Sequence, residues 1–364
     1  MIKRKHGPSL YYATDKNVFD ALNQRKVDTN TVIQLFERRN IIVGKKTPRE
    51  DLAKYFSMLN HDYYDHKDIA ARLGIAPRRE RITSMNVLGV GEKEELQVSI
   101  DKLKQELESA GDVVHISRDG DNVSVQVQYS TVNYKLNEFS QVQVRDGTVE
   151  FVKLSEGYIV RNTQNDYINN VRETLFGKIE KTQSVTLTKE VVSLFDVPSL
   201  KLRSKFFHEL VTKLPGYSLC DVSSVYVYKA KPDDDSTDDG SLSEQDTHIE
   251  RVLLRGNGVT QSQLLNELLD EEDYYIIKIG WTTKEIMGSG HVYDIEAVFA
   301  DPKDCAGFSF ILGGVFPLED GKVSSHRRVP SRAEINIISQ VIELKSRELM
   351  ASLRDEYDKL KSGD

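Results

Sequence analysis

Cysteine and tryptophan are nearly missing: the 364-residue chain holds two cysteines, Cys220 and Cys305, and one tryptophan, Trp281. Two cysteines outside any paired motif exclude a disulfide framework and a cysteine-rich zinc site. Both thiols are expected to be buried and reduced. Prolines number only nine, too few for a proline-rich or low-complexity chain. No apolar run approaches the roughly 18 residues of a membrane span. The basic start Lys3-Arg4-Lys5 is followed by Gly7-Pro8 and tyrosines, not by the apolar core of a signal peptide. The expectation is a cytoplasmic protein that does not enter a membrane. Cofactor motifs are missing as well. Gly256 and Gly258 in "RGNGVTQSQLLNELL" lack the third glycine of the dinucleotide fingerprint and the Gly-Lys-Ser/Thr ending of a phosphate loop. "DSTDDGSLSEQD", 235–246, has aspartates at calcium-loop positions but Thr at the third place and Asp at the twelfth, so it reads as an acidic run. No cofactor and no bound metal are expected.

What the chain does have is enough apolar residue, 39% of the total, to bury sizeable cores, and enough length for two or three domains. Its net charge of −8 is unevenly spread. Residues 1–82 carry 17 Lys and Arg against 10 Asp and Glu, or +7; the remaining 32 against 47 leave −15 for 83–364. Surface charges stop feeling one another beyond about 8 Å at physiological salt, so a basic end can meet a polyanion although the whole molecule is acidic.

Periodicity gives an α+β multidomain chain: a basic, all-helical N-terminal module, then domains of mixed antiparallel sheet and helix, then a long C-terminal helix. The expected boundaries are 1–85 for the module, 86–232 for one α+β domain, 233–247 for an acidic disordered loop and 248–364 for a second α+β domain. In the module, a helix is expected over 31–39 with Val32, Leu35 and Phe36 on one face and a capping box of Thr31 and Gln34. Thr47-Pro48-Arg49-Glu50 spells a second box and a second helix, and a third helix runs from about Asp65 to a glycine cap at Gly74. Beyond it, 94–110 reads as a helix, 123–129, 142–144 and 149–154 as strands with a hairpin turn at "RDGT", and 165–179 as a helix. A helical pair is expected at 189–195 and 199–214. Strands follow at "VSSVYVYKAK", at "RVLLR" and over 274–281, 291–299 and 308–315. The last helix starts at Ser331, with Glu334 closing its box, and repeats apolar residues from Ile335 to Leu360 at a mean step near 3.6.

"TVIQLFERRNIIVGKKTPREDLAKYF", 31–56, resembles the SAP motif, a helix–extended-loop–helix unit of DNA-binding proteins. The matching positions are Val32, Leu35, Arg39, Val43, Gly44, Lys45, Lys46 and Leu52. Asn40-Ile41 stands where the motif has Gly-Leu, a mild change because Asn tolerates a left-handed backbone. The loop is also shortened before Gly44 and lengthened after Lys46. The resemblance implies contact with the DNA backbone through the loop and the start of the second helix. Physics points the same way: helix starts expose unpaired N–H groups, and phosphate binds there when lysine or arginine stands nearby. Downstream, "DIAARLGIAPRRER" resembles the first helix and turn of a helix-turn-helix, although Glu80 falls where an apolar anchor is wanted; 188–207 repeats that frame more faintly. The expected nucleic-acid-binding residues are Arg38, Arg39, Lys45, Lys46, Arg49, Lys54, Arg78 and Arg79.

The expected function is therefore a nucleic-acid-binding adaptor. It would contact the backbone of double-stranded DNA with tolerance for sequence, and assemble with a protein partner or with itself through the acidic C-terminal part. Two other readings stand beside it. Asp294 and Glu296 alternate onto one face of a strand, where a metal-dependent nuclease would hold Mg²⁺, but the Glu-x-Lys continuation of such a core is missing. The helical module would otherwise be a protein-docking scaffold.

Overall fold

The computed structural model describes residues 13–24, 27–73, 80–136, 138–229, 249–270 and 273–362. It is an α+β protein. In chain order the helices are α1 (Asp15–Leu22), α2 (Thr29–Glu37), α3 (Arg49–Ser57), α4 (Tyr63–Arg72), α5 (Lys93–Ser109), α6 (Asp166–Gln183), α7 (Leu200–Thr212), α8 (Gln263–Asp270) and α9 (Arg332–Ser362). The principal strands are β1 (Ile82–Leu88), β2 (Val113–Asp119), β3 (Asn122–Val132), β4 (Val142–Lys153), β5 (Tyr158–Thr163), β6 (Thr188–Val191), β7 (Tyr217–Tyr228), β8 (Arg251–Arg255), β9 (Tyr275–Glu285), β10 (Val292–Asp301) and β11 (Ala306–Phe316). The chain forms two compact units, one drawn from 1–78, 91–149 and 170–185, the other from 79–90, 150–169 and 186–364. Gly74, the acidic segment 233–247 and the second half of "DIAARLGIAPRRER" up to Arg79 lie outside the described residues.

In the first unit, α1 to α4 bury Val18, Leu22, Val32, Phe36, Leu52, Phe56 and Ile69 around one core, with Phe139 packed against it. Edge-to-face packing of Phe36 on Phe56, centroids 5.1 Å apart, locks α2 to α3. The ends of these helices differ from the sequence reading in informative ways. α2 starts two residues early because Asp28, not Thr31, caps it: Asp28 Oδ1 accepts from the Thr31 amide at 2.7 Å. It stops where Asn40 turns left-handed at φ 56°, letting the Ile41 amide donate back to the Phe36 carbonyl at 3.0 Å. The Thr47–Glu50 box does not form. Thr47 donates its amide to the Gly44 carbonyl at 3.0 Å, so that N–H cannot meet the Glu50 carboxylate, and α3 begins after Pro48 without a side-chain cap. In the rest of this unit α5 buries Leu96, Ile100, Leu103 and Leu107, and β2, β3 and β4 are successive neighbours. "RDGT" is no hairpin turn: it lies inside the continuous β4, where Asp146 accepts from Gln128 of β3 at 3.1 Å.

The second unit orders its strands β5-β1-β11-β10-β9-β7-β8, with β6 also paired to β1. The expected helix at 189–195 is this strand β6 and the extended chain after it; Lys189 stands opposite Val87. Cross-strand pairing overrode a local pattern whose valines suit a strand equally well. The strands over 275–316 fall where alternation places them, and so do α7 and α9. One face of the β7-β9-β10-β11 sheet is buried under α7 and α9, with Phe206, Phe207, Phe299 and Phe308 in mutual ring contact. α9 begins as the sequence indicates: Ser331 donates its amide to Glu334 at 2.7 Å, and the Glu334 amide donates to Ser331 Oγ at 3.3 Å. Its apolar stripe buries Ile338, Ile342, Leu349 and Leu353, while Leu360 stays exposed. Inside that stripe sits a charge the periodicity conceals. Glu343, 1% exposed, accepts two bonds from Arg161 of β5, at 2.7 and 2.8 Å.

Candidate nucleic-acid interface

The segment 38–48 joins α2 to α3 as an irregular extended loop. Its two ends are fixed. The left-handed turn at Asn40 sets one, and Arg49 sets the other by reaching back across the module: Nη1 donates to the Val27 carbonyl at 2.9 Å, and Nη2 to the Asn23 carbonyl and to Asn23 Oδ1. Arg49 is thus a brace that holds the start of α3 against the α1–α2 connection.

The structure divides the expected binding residues into three groups. Arg38 pairs with Asp68 of α4. Arg39 pairs with Asp65, meets His61 Nδ1 at 3.1 Å, and lies over the Phe56 ring at 5.0 Å. Arg39 and Arg49 therefore direct their donors into the module, and Arg38 makes one solvent-exposed pair. Lys45, Lys46 and Lys54 form the second group. All three are exposed, and among the described residues none of their ammonium groups makes an ion pair or hydrogen bond. Arg78 and Arg79 lie outside the described residues. The first turn of α3 also carries Glu50 and Asp51, which oppose an anion at that helix start, so the lysines of the loop supply the attraction.

Sequence reasoning missed the apolar neighbours of these lysines. Ile42, three residues before Lys45, is 94% exposed at the loop, and Tyr55, next to Lys54 in the chain, is also exposed. Ile42 sits in the middle of the short run Ile41-Ile42-Val43, and three consecutive β-branched residues give no periodic signal to show which of them faces outward. His61, packed beside Arg39, has its pKa lowered by burial and by the guanidinium, so it adds no charge to this surface at neutral pH.

The carboxylates weighed for metal chemistry occupy the second unit. Asp294 and Glu296 do share one face of β10, as alternation requires, but each is closed by cations. Arg327 donates to Asp294 at 2.5 Å; Lys278 sits 2.8 Å from Glu296, which Arg81 also holds. Burial alone would raise the Glu296 pKa, but the bonds from Lys278 and Arg81 outweigh it and hold the carboxyl below its ordinary value. Among the described residues no three His, Cys, Asp or Glu side chains are grouped to hold a metal ion. Of the cysteines, Cys305 is buried, its thiol pushed up to about 12 mainly by that burial; Cys220 is exposed, contrary to expectation. Among the described residues no helix is long and apolar enough to cross a membrane. No model of a known protein family matches the chain, and no curated protein matches it.

Proposed function

We propose that the N-terminal helical module binds nucleic acid through its phosphate backbone, with double-stranded DNA as the preferred form, and that Lys45 and Lys46 make the main contacts with Lys54 adding a third. The observation that carries this reading is the division of the cations: Arg39 and Arg49 are committed to bonds within the module and Arg38 makes a surface pair with Asp68, whereas the lysines of a braced loop are exposed and unpartnered. A loop fixed at both ends loses little entropy when phosphates dock, which favours contact there over contact by free side chains elsewhere. The +7 balance of residues 1–82 provides local attraction for phosphate that the acidic remainder, screened beyond about 8 Å at physiological salt, does not cancel. The test is a mobility-shift titration of the full chain with duplex DNA. Lys45→Glu with Lys46→Glu is expected to weaken the shift strongly or abolish it while Glu37→Gln leaves it; an unchanged shift after both reversals refutes the assignment.

Exposed Ile42 favours a second reading, in which the same loop docks a protein. Ile42→Ser separates the two. Loss of partner capture with DNA binding intact supports docking, and loss of neither removes it.

A further inference from the structure

The second unit carries a polar groove that the N-terminal reading leaves unused. It lies on the face of the β7-β9-β10-β11 sheet opposite α7 and α9, and encloses about 490 Å³, within the range of small-ligand sites. Strand register explains its shape. One row crosses five strands: Arg255 on β8 stands opposite Ser224 on β7, Ser224 opposite Gly280 on β9, Gly280 opposite Glu296 on β10, and Glu296 opposite Ile311 on β11. With no side chain at Gly280, the row dips at its centre; a Cβ there would come within 2.6 Å of Ser224 Oγ. Tyr226 and Lys278 stand opposite each other on one side of the dip, and Thr282 opposite Asp294 on the other.

The hydrogen-bonding groups around the dip are unequally committed. The acceptors are taken: Glu296 by Lys278 and Arg81, Asp294 by Arg327. Some donors are taken too: Ser223 donates to the Gly280 carbonyl at 3.2 Å, and Lys278 and Arg327 hold the carboxylates. Three are not: among the described residues the exposed Arg255 guanidinium makes no ion pair or hydrogen bond, and the Ser224 and Tyr226 hydroxyls have no hydrogen-bond partner. Among the lining residues three cations, Arg255, Lys278 and Arg327, stand with two carboxylates, Asp294 and Glu296, an excess of one positive charge. A groove with spare donors, satisfied acceptors and positive potential selects an anion rich in acceptor oxygens. Its volume exceeds that of a bare oxyanion, and Tyr226, Leu253 and Phe316 add apolar surface for a ring.

We propose that this groove binds the phosphate of a nucleotide, seated over Gly280 with Arg255 and Ser224 donating to its oxygens and the base against Tyr226 and Leu253. A free mononucleotide and the phosphate of a single strand present the same chemistry. The site is independent of the lysine loop, so it is tested in the full chain already carrying Lys45→Glu and Lys46→Glu. Calorimetric titration compares adenosine monophosphate, adenosine and a short single-stranded oligoadenylate. The monophosphate is expected to bind and adenosine to fail. Arg255→Ala is expected to weaken the monophosphate about tenfold or more, the loss typical of a hydrogen bond to a charged group, and Ser224→Ala to weaken it less. Arg255 is exposed, so this variant should keep the thermal unfolding of its parent. No binding of the monophosphate, equal binding of adenosine, or unchanged binding after Arg255→Ala overturns the proposal. Tighter binding of the oligoadenylate than of the monophosphate assigns the site to a strand; equal or weaker binding assigns it to a free nucleotide.

Discussion

Single residues in this protein hold more than their types imply. Arg161 and Glu343 meet inside the second unit, with Glu150 3.4 Å from the same guanidinium. Burial opposes the charge on Arg161, but the carboxylates outweigh it and hold its pKa above the ordinary value. Removing Glu343 leaves the buried Arg161 with only the longer contact to Glu150, and removing Arg161 strands Glu343 in the core. Glu343→Gln is therefore expected to cost about 3–5 kcal/mol in urea unfolding, and Glu343→Leu with Arg161→Leu to recover most of it. A cost under about 1 kcal/mol for the single change would show that water reaches the site. In the N-terminal module, the difference between Arg49 and Lys45 is equally residue-specific. Arg49→Ala should lower the unfolding midpoint because three hydrogen bonds go with it, and Lys45→Ala should leave the midpoint unchanged. Equal effects on stability would deny Arg49 its bracing role.

At the scale of elements, the start of α9 shows how much a well-spelled cap settles. Glu334 accepts from Arg328 and from the Ser331 amide, and its pKa falls to about 2 from 4.5, mainly through the bond from Arg328. A carboxylate depressed on folding stabilises the protein above its unfolded pKa, and the gain is lost as pH falls from about 4.5 toward 2. The stability gap between native chain and Glu334→Gln, read from urea midpoints, should be full near neutrality and close across that window. A gap that stays constant with pH would mean that the carboxylate is not the stabilising group. Ser331 and Glu334 could be read from the sequence because both halves of the box are local, as could β10, whose alternation matches a sheet with one buried face, and β9 and β11, whose short apolar runs rich in β-branched and aromatic residues suit a buried strand. The cap of α3 could not, because a turn to Gly44 took the amide that the box needs. Strand β6 was hidden for a similar reason: its pairing partner Val87 lies about a hundred residues upstream. The charge asymmetry of the candidate interface was plain in composition. Which cations remain free was not, since Arg38 and Arg39 find Asp68 and Asp65 only when α4 folds back beside them. The outer side of α9 carries Ile337 and Leu344 at 55% and 53% exposure, where self-association or a partner would find apolar surface. If α9 joins copies of the chain, sedimentation velocity should show an oligomer that Ile337→Ser with Leu344→Ser converts to monomer; a monomeric native chain would leave that surface without a self-partner.

Over the whole molecule, charge is the property that links sequence to proposed function most directly. The positive excess within 1–82 and the negative excess beyond it are features of composition, and the fold adds the selection of which lysines face water. Binding to phosphate should therefore carry a salt dependence set by few contacts. The most direct measurement is the affinity of the full chain for duplex DNA across a series of salt concentrations. Three lysine contacts correspond to a log–log slope of about −2.7, at roughly 0.9 per phosphate, and Lys45→Glu with Lys46→Glu should bring it to about −1 or remove binding altogether. A slope near zero, or one that the two reversals leave unchanged, would contradict phosphate contact by this loop.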